Sequence, residues 1–220
     1  MAILSEQDKQ AIKERLSNMT KPVKFVLFIQ QVGECQYCKE TEELMRELTS
    51  ISDKLSLEVK NLAIDKDLAE LYDVDKVPAI VLLGVDDKGE DVDYGIRFYG
   101  IPAGYEFATL LEDILMISNE DSHLDENIKM ELAQIEQPIK IKVFITPTCP
   151  YCPQSVFAAH QLAFESKFIV SEMVEAQEFP QLSNLHSVRA VPKTVINDKV
   201  DFEGAMPVNM VMEYLKKALD

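Results

Sequence analysis

Apolar positions recur at two different periods along the chain, and the switches between them outline its elements. Dense runs of β-branched and aromatic residues at Val23–Ile29 (VKFVLFI) and Ile139–Ile145 (IKIKVFI) predict buried strands. Behind each, apolar positions three and four apart predict a helix. Leu44, Leu48 and Ile51 mark one face in the first case; Val156, His160 and Ala163 do so in the second, with Phe157 and Phe164 beside them. Further strands are predicted at 57–62 and 168–174. Short helices follow, one opened by Asp65 as cap and one by Pro180 in its first turn. Two hairpins come next, turning at Asp86-Asp87-Lys88-Gly89 and at Asn197-Asp198. Terminal helices are predicted at 107–118 and 208–219. Leading helices are predicted behind Ser5-Glu6-Gln7-Asp8 and Ser122-His123-Leu124-Asp125, which both resemble capping boxes.

The order αβαβαββα therefore occurs twice. It predicts an α/β fold of two tandem units, 1–118 and 119–220, joined by the polar Ser118-Asn119-Glu120-Asp121. Each unit has a central mixed sheet, a parallel βαβ start followed by an antiparallel hairpin, flanked by helices. The register of the repeat is fixed by chemistry. Cys35 and Cys38 align with Cys149 and Cys152, and a Val-Pro pair ends 43 residues after each leading cysteine, at Val77-Pro78 and Val191-Pro192. The hairpins differ, because the first copy carries extra length around 86–93.

Composition narrows the chemistry. The 220 residues are 47% hydrophobic and 27% charged, as in a globular protein, with a net charge of −16. Both halves are acidic, which argues against nucleic acid as a partner. No apolar run approaches a membrane span, and MAILSEQDKQ lacks the pattern of a signal peptide. A cytoplasmic location is expected, where thiols stay reduced.

Four cysteines in two CxxC pairs leave metal binding or redox chemistry. Zinc sites of this kind usually separate their pairs by ~15–20 residues, whereas 110 residues lie between Cys38 and Cys149. His123, His160 and His186 show no ligand spacing and read as surface or packing residues. Zinc stays open if the two pairs meet in space, and no metal ligand is assigned.

Redox chemistry explains more of the pattern. Strand, CxxC and helix in that order set the leading cysteine at a helix N-terminus, where unpaired N–H groups favour the thiolate. Cys35 and Cys149 are the expected nucleophiles. Cys38 and Cys152, three positions on, can close an intramolecular disulfide and expel a bound partner. Each Val-Pro is a candidate cis bond. It would turn the backbone of Val77 or Val191 toward the thiol, where an extended substrate could pair as an added strand. Arg189 and Lys193 beside the second Val-Pro read as surface charge.

These residues resemble the thioredoxin superfamily. Cys149-Pro150-Tyr151-Cys152 is similar to the glutaredoxin motif, and Val191-Pro192 to its cis-proline. Two such units, CQYC first and CPYC second, resemble the glutaredoxin-like protein disulfide oxidoreductases of thermophilic archaea and bacteria over nearly the whole chain. The resemblance implies two thioredoxin folds and dithiol–disulfide exchange on protein substrates, with the CPYC site dominant. It implies no cofactor beyond the redox-active disulfides Cys35–Cys38 and Cys149–Cys152, and a thioredoxin-reductase-like flavoprotein as electron donor. An alternative is a dithiol electron carrier between such a reductase and a peroxiredoxin; another is a non-catalytic metal-binding or scaffold protein. The chain departs from the family at Ile29 and Val143, where thioredoxin proper has a buried aspartate, so another group must take the proton of the resolving thiol. Ala190-Val191-Pro192 also departs from the glutathione-binding pattern. Glu34 before Cys35, against Thr148 before Cys149, predicts the lower thiol pKa at Cys149 and the more reducing pair at Cys35–Cys38. Pro150, better suited to a helical first turn than Gln36, points the same way.

Overall fold

Eight strands form one continuous sheet in a computed structural model that describes residues 3–30 and 35–219. In the first half the chain runs α1 (Glu6–Arg15), β1 (Val23–Ile29), α2 (Cys38–Thr49), β2 (Leu55–Asn61), α3 (Lys66–Leu71), β3 (Ala79–Val85), β4 (Asp91–Tyr99) and α4 (Glu106–Asn119). The second half repeats the order with α5 (Glu126–Leu132), β5 (Ile139–Ile145), α6 (Cys152–Glu165), β6 (Ile169–Glu175), α7 (Pro180–Leu185), β7 (Lys193–Ile196), β8 (Val200–Glu203) and α8 (Val208–Leu219). Among the described residues no helix is long and apolar enough to cross a membrane.

The strand order is β2-β1-β3-β4-β6-β5-β7-β8. Each half places a parallel pair beside an antiparallel hairpin, as the repeat predicts. Strands β1 and β5 are central and covered on both faces, which is why they read as near-continuous apolar runs. The pleat still sorts them. Phe25 and Leu27 enter the larger core under α1, α2 and α4, whereas Val26 and Phe28 enter a smaller one under α3 and α7.

The halves are joined through β4 and β6, which pair in parallel from Ile96↔Ser171 to Tyr99↔Val174. Gly95, at φ +73, opens that join, and a Cβ there would collide with the Ile169 carbonyl. Over the join, α4 packs on α6, and Asp113 Oδ2 lies 2.6 Å from His160 Nδ1 with both side chains fully buried.

Two local expectations change. Ser5 and Asp8 form a reciprocal capping box at α1. Ser122, by contrast, bonds to Glu165 of α6 and accepts from the Leu124 amide, leaving Asp125 as an N-cap without a side-chain bond. Burial against α6 outcompetes the local cap. Lys193 is no surface charge: it is buried, with Nζ 3.5 Å from Asp201, while Arg189 is exposed.

Candidate active site

Both CxxC segments lie where a central strand hands over to a helix. β1 ends at Ile29 and α2 begins at Cys38; β5 ends at Ile145 and α6 begins at Cys152. The helices thus start at the second cysteine of each pair, one turn later than the sequence pattern predicts. Cys35 and Cys149 stand just ahead of the helical N–H groups. In the second copy Pro153, not Pro150, occupies the first helical turn. Its missing N–H is unneeded there, and its fixed φ starts the helix.

Each pair is closed as a disulfide with its Cα atoms 5.5 Å apart. In both copies the second sulfur is the more shielded. Cys152 is fully buried and Cys149 is 8% exposed, while Cys38 is 6% exposed and Cys35 half-buried. The residues between them face solvent, Tyr151 far more than Tyr37. An incoming disulfide therefore meets the leading sulfur first, and the partner sulfur attacks from inside. With all four sulfurs so paired, no group of three or more His, Cys, Asp or Glu side chains among the described residues is arranged to hold a metal ion.

Both Val-Pro bonds are cis. Cys149 Sγ lies 3.8 Å from the Val191 carbonyl oxygen, which brings the second disulfide against the Val191-Pro192 backbone. In the first copy Val77 and Cys35 both pack against the main core, and the Gln30 amide points at Cys38 Sγ from 3.5 Å. The hairpins pin both loops alike: Gly100 N–H donates to the Pro78 carbonyl at 3.0 Å and Gly204 N–H to the Pro192 carbonyl at 2.8 Å. Glu34 lies outside the described residues.

Two carboxyls near these sites escaped the sequence pattern. Glu106, in the first turn of α4, is fully buried, and burial pushes its carboxyl up to about 7, with Asp113 adding to the rise and Thr109 Oγ1 opposing it. The residue before it, Tyr105, donates its N–H to the Pro147 carbonyl at 3.1 Å, two residues from Cys149. Glu178, after β6, is likewise pushed up to about 7 by burial. In sequence Glu106 looks like an ordinary acidic residue at a helix start. Its burial comes from the other half of the molecule, so no local period could reveal it.

A family model described as a thioredoxin domain matches residues 139–216. The crystal structure of a protein disulfide oxidoreductase from Aeropyrum pernix K1 is 31% identical and covers 97% of this chain and 93% of its own, with a TM-score of 0.89. The NTD_N/C domain of the alkylhydroperoxide reductase AhpF from Enterococcus faecalis V583 is 25% identical over 96% of this chain and 99% of that domain, with a TM-score of 0.87. An alkyl hydroperoxide reductase of Staphylococcus aureus (strain NCTC 8325 / PS 47) is 27% identical over 218 residues, 99% of this chain. The chain spans 39% of the length of that curated relative.

Proposed function

This chain belongs to the protein disulfide oxidoreductases of the thioredoxin superfamily, and from that premise we propose that it catalyses thiol–disulfide exchange on protein substrates through two sites. The observation that carries the reading is the doubled arrangement of a shielded second sulfur and an accessible first one, each site coming with a cis-proline loop. We assign residues 1–118 and 119–220 to two catalytic units, with no cofactor beyond the disulfides themselves.

In the reducing direction the Cys149 thiolate attacks a substrate disulfide. One substrate sulfur leaves as thiolate and the other stays bound to Cys149. Cys152 then loses its proton and attacks Cys149 Sγ. The mixed disulfide breaks, the second substrate sulfur leaves, and Cys149–Cys152 closes, so two electrons have passed to the substrate. Cys35 and Cys38 repeat the sequence in the first unit. The backbone at Val77-Pro78 and Val191-Pro192 binds an extended substrate segment as an added strand. Glu106 supplies the second site with the proton acceptor that Val143 cannot. Re-reduction draws two electrons from a thioredoxin-reductase-like flavoprotein in the cytoplasm.

Cys149→Ser is expected to remove most insulin disulfide reduction, Cys35→Ser a smaller part, and the double variant all of it. Wild-type turnover by the double variant would end the proposal.

A second reading, a dithiol carrier between a flavoprotein and a peroxiredoxin, is favoured by the likeness to the staphylococcal alkyl hydroperoxide reductase along 99% of this chain. It predicts faster electron delivery to a peroxiredoxin than to insulin in a side-by-side assay. Metal content after purification separates both readings from a metal-binding scaffold.

A further inference from the structure

After β6 the chain turns back toward the first half and brings two carboxyls with it. Glu178 Oε1 accepts from the Ile101 amide at 2.7 Å, and the Glu178 amide donates to Glu175 Oε2 at 2.6 Å. Glu178 Oε2 and Glu175 Oε1 are buried without a hydrogen-bond partner among the described residues. A buried carboxylate oxygen in that position needs a proton or water.

Two cavities of about 400 and 410 Å³ meet at Glu178 and at Gln36. Both have polar side chains on their walls and are large enough to hold water. The first is bordered by Gln30, whose amide points at Cys38 Sγ, and by Val77 of the cis-proline loop. The second is bordered by Tyr37 and by Pro147. Gln36 and Tyr37 are the two residues between Cys35 and Cys38. Among the described residues Glu178 is the one carboxyl that borders both cavities.

The repeat sharpens the point. In its register Glu178 falls on Ile64, which is 79% exposed, and Glu175 on Asn61. The carboxyl pair is therefore an addition to the second copy rather than part of the shared pattern. The first site has buried Ile29 six positions before Cys35, with no carboxyl there.

We propose that Glu178, carried by the second unit, takes and returns the proton of Cys38 in the first unit. The proposal rests on the reading of Cys35–Cys38 as a redox site. With a substrate sulfur bound to Cys35, the Cys38 thiol gives its proton across the cavity to Glu178. Cys38 Sγ attacks Cys35 Sγ, the bond from Cys35 to the substrate breaks, and the substrate leaves as thiolate with the electron pair. In the oxidising direction Glu178 returns the proton to Cys38.

The charged groups around Glu178 suit this role. Burial pushes its carboxyl up to about 7; Glu175 and Glu40 add to the rise, and the Ile101 N–H opposes it. Burial also raises Glu175. Asp75 and Lys76 lie across the first cavity, but they pair with each other at 2.6 Å, and Lys76 Nζ also sits 3.6 Å over the Tyr99 ring.

The test uses the full chain with Cys149→Ser and Cys152→Ser, reduced and mixed with dithiobis(nitrobenzoate). Release of the first aromatic thiolate reports attack by Cys35, and release of the second reports attack by Cys38. In the parent protein the second step should accelerate through about pH 7. In Glu178→Gln it should slow on the order of 100-fold. Its inflection should vanish, leaving only the ionisation of the thiol itself near ~8.5, while the first step holds its rate. Glu175→Gln, which removes a like charge, should move the inflection to lower pH.

A folded Glu178→Gln protein with parental second-step rate and inflection overturns the proposal and leaves Cys35 as nucleophile. If that variant does not fold, an unmoved inflection in Glu175→Gln overturns it instead. A parent protein that releases no first thiolate overturns the redox reading of Cys35–Cys38, and this proposal with it.

Discussion

Gly104 shows how far one residue reaches into the second site. It adopts φ +62, and a Cβ there would collide with the Pro147 carbonyl, the group that accepts the Tyr105 N–H. Only glycine takes this backbone conformation freely while letting the Pro147–Thr148 turn lie so close. Gly104→Ala is expected to cost about 1–3 kcal/mol. It should also slow the Cys149 site more than the Cys35 site; urea unfolding, and turnover in each single-site background, check the two parts separately. At this scale the sequence revealed the sulfurs and both prolines, because a doubled spacing of 43 residues is a strong local signal. It was silent on Glu106 and Glu178, since an acidic residue looks the same whether its neighbours are water or another half of the molecule.

Among the elements, period and propensity placed nearly every strand and helix, and they failed where tertiary contact competes with a local motif. The Ser122 to Asp125 segment has the spelling of a capping box, yet Ser122 turns to Glu165. The helix starts shifted for a similar reason. Tyr37 and Tyr151 act as N-caps without side-chain bonds, so the chain enters each helix only at the second cysteine. The α4–α6 contact is also invisible to a single-sequence pattern. Asp113 and His160 are 47 positions apart, and burial raises the Asp113 carboxyl while the adjacent imidazole opposes the rise. Asp113→Ala strands the ring in an apolar seam and is expected to cost about 3–5 kcal/mol. Replacing both residues with leucine should recover much of that loss. A double-mutant cycle by denaturant unfolding measures it, and additive losses would show that the pair is uncoupled.

For the molecule as a whole, the raised carboxyls set an acidic preference. Glu106 and Glu178 ionise near their ordinary 4.5 in the unfolded chain but only at about 7 in the fold. Between those values the folded state holds more protons, so stability is full below the lower value and is lost as pH rises through the upper one. Asp8, Glu47, Glu58, Asp121 and Asp198 have lowered values and act in the opposite sense, losing their contribution only in more acidic solution. The melting temperature is expected to peak near pH ~5–6 and fall toward pH 8. Glu106→Gln with Glu178→Gln should flatten that fall, and a slope unchanged by the double substitution would contradict the assignment.

The β4–β6 join carries a consequence for growth of the sheet. The second half lies beside the first by a sideways step with no reversal, so the rule that seats β6 on β4 would seat another β2-like strand on β8. Such head-to-tail addition does not close on itself, and nothing in its symmetry says stop. Termination falls to the last strand, which offers only four residues, Val200–Glu203, and spaces Asp201 and Glu203 along them. A short, negatively charged border of this kind is how a ribbon avoids becoming a fibre.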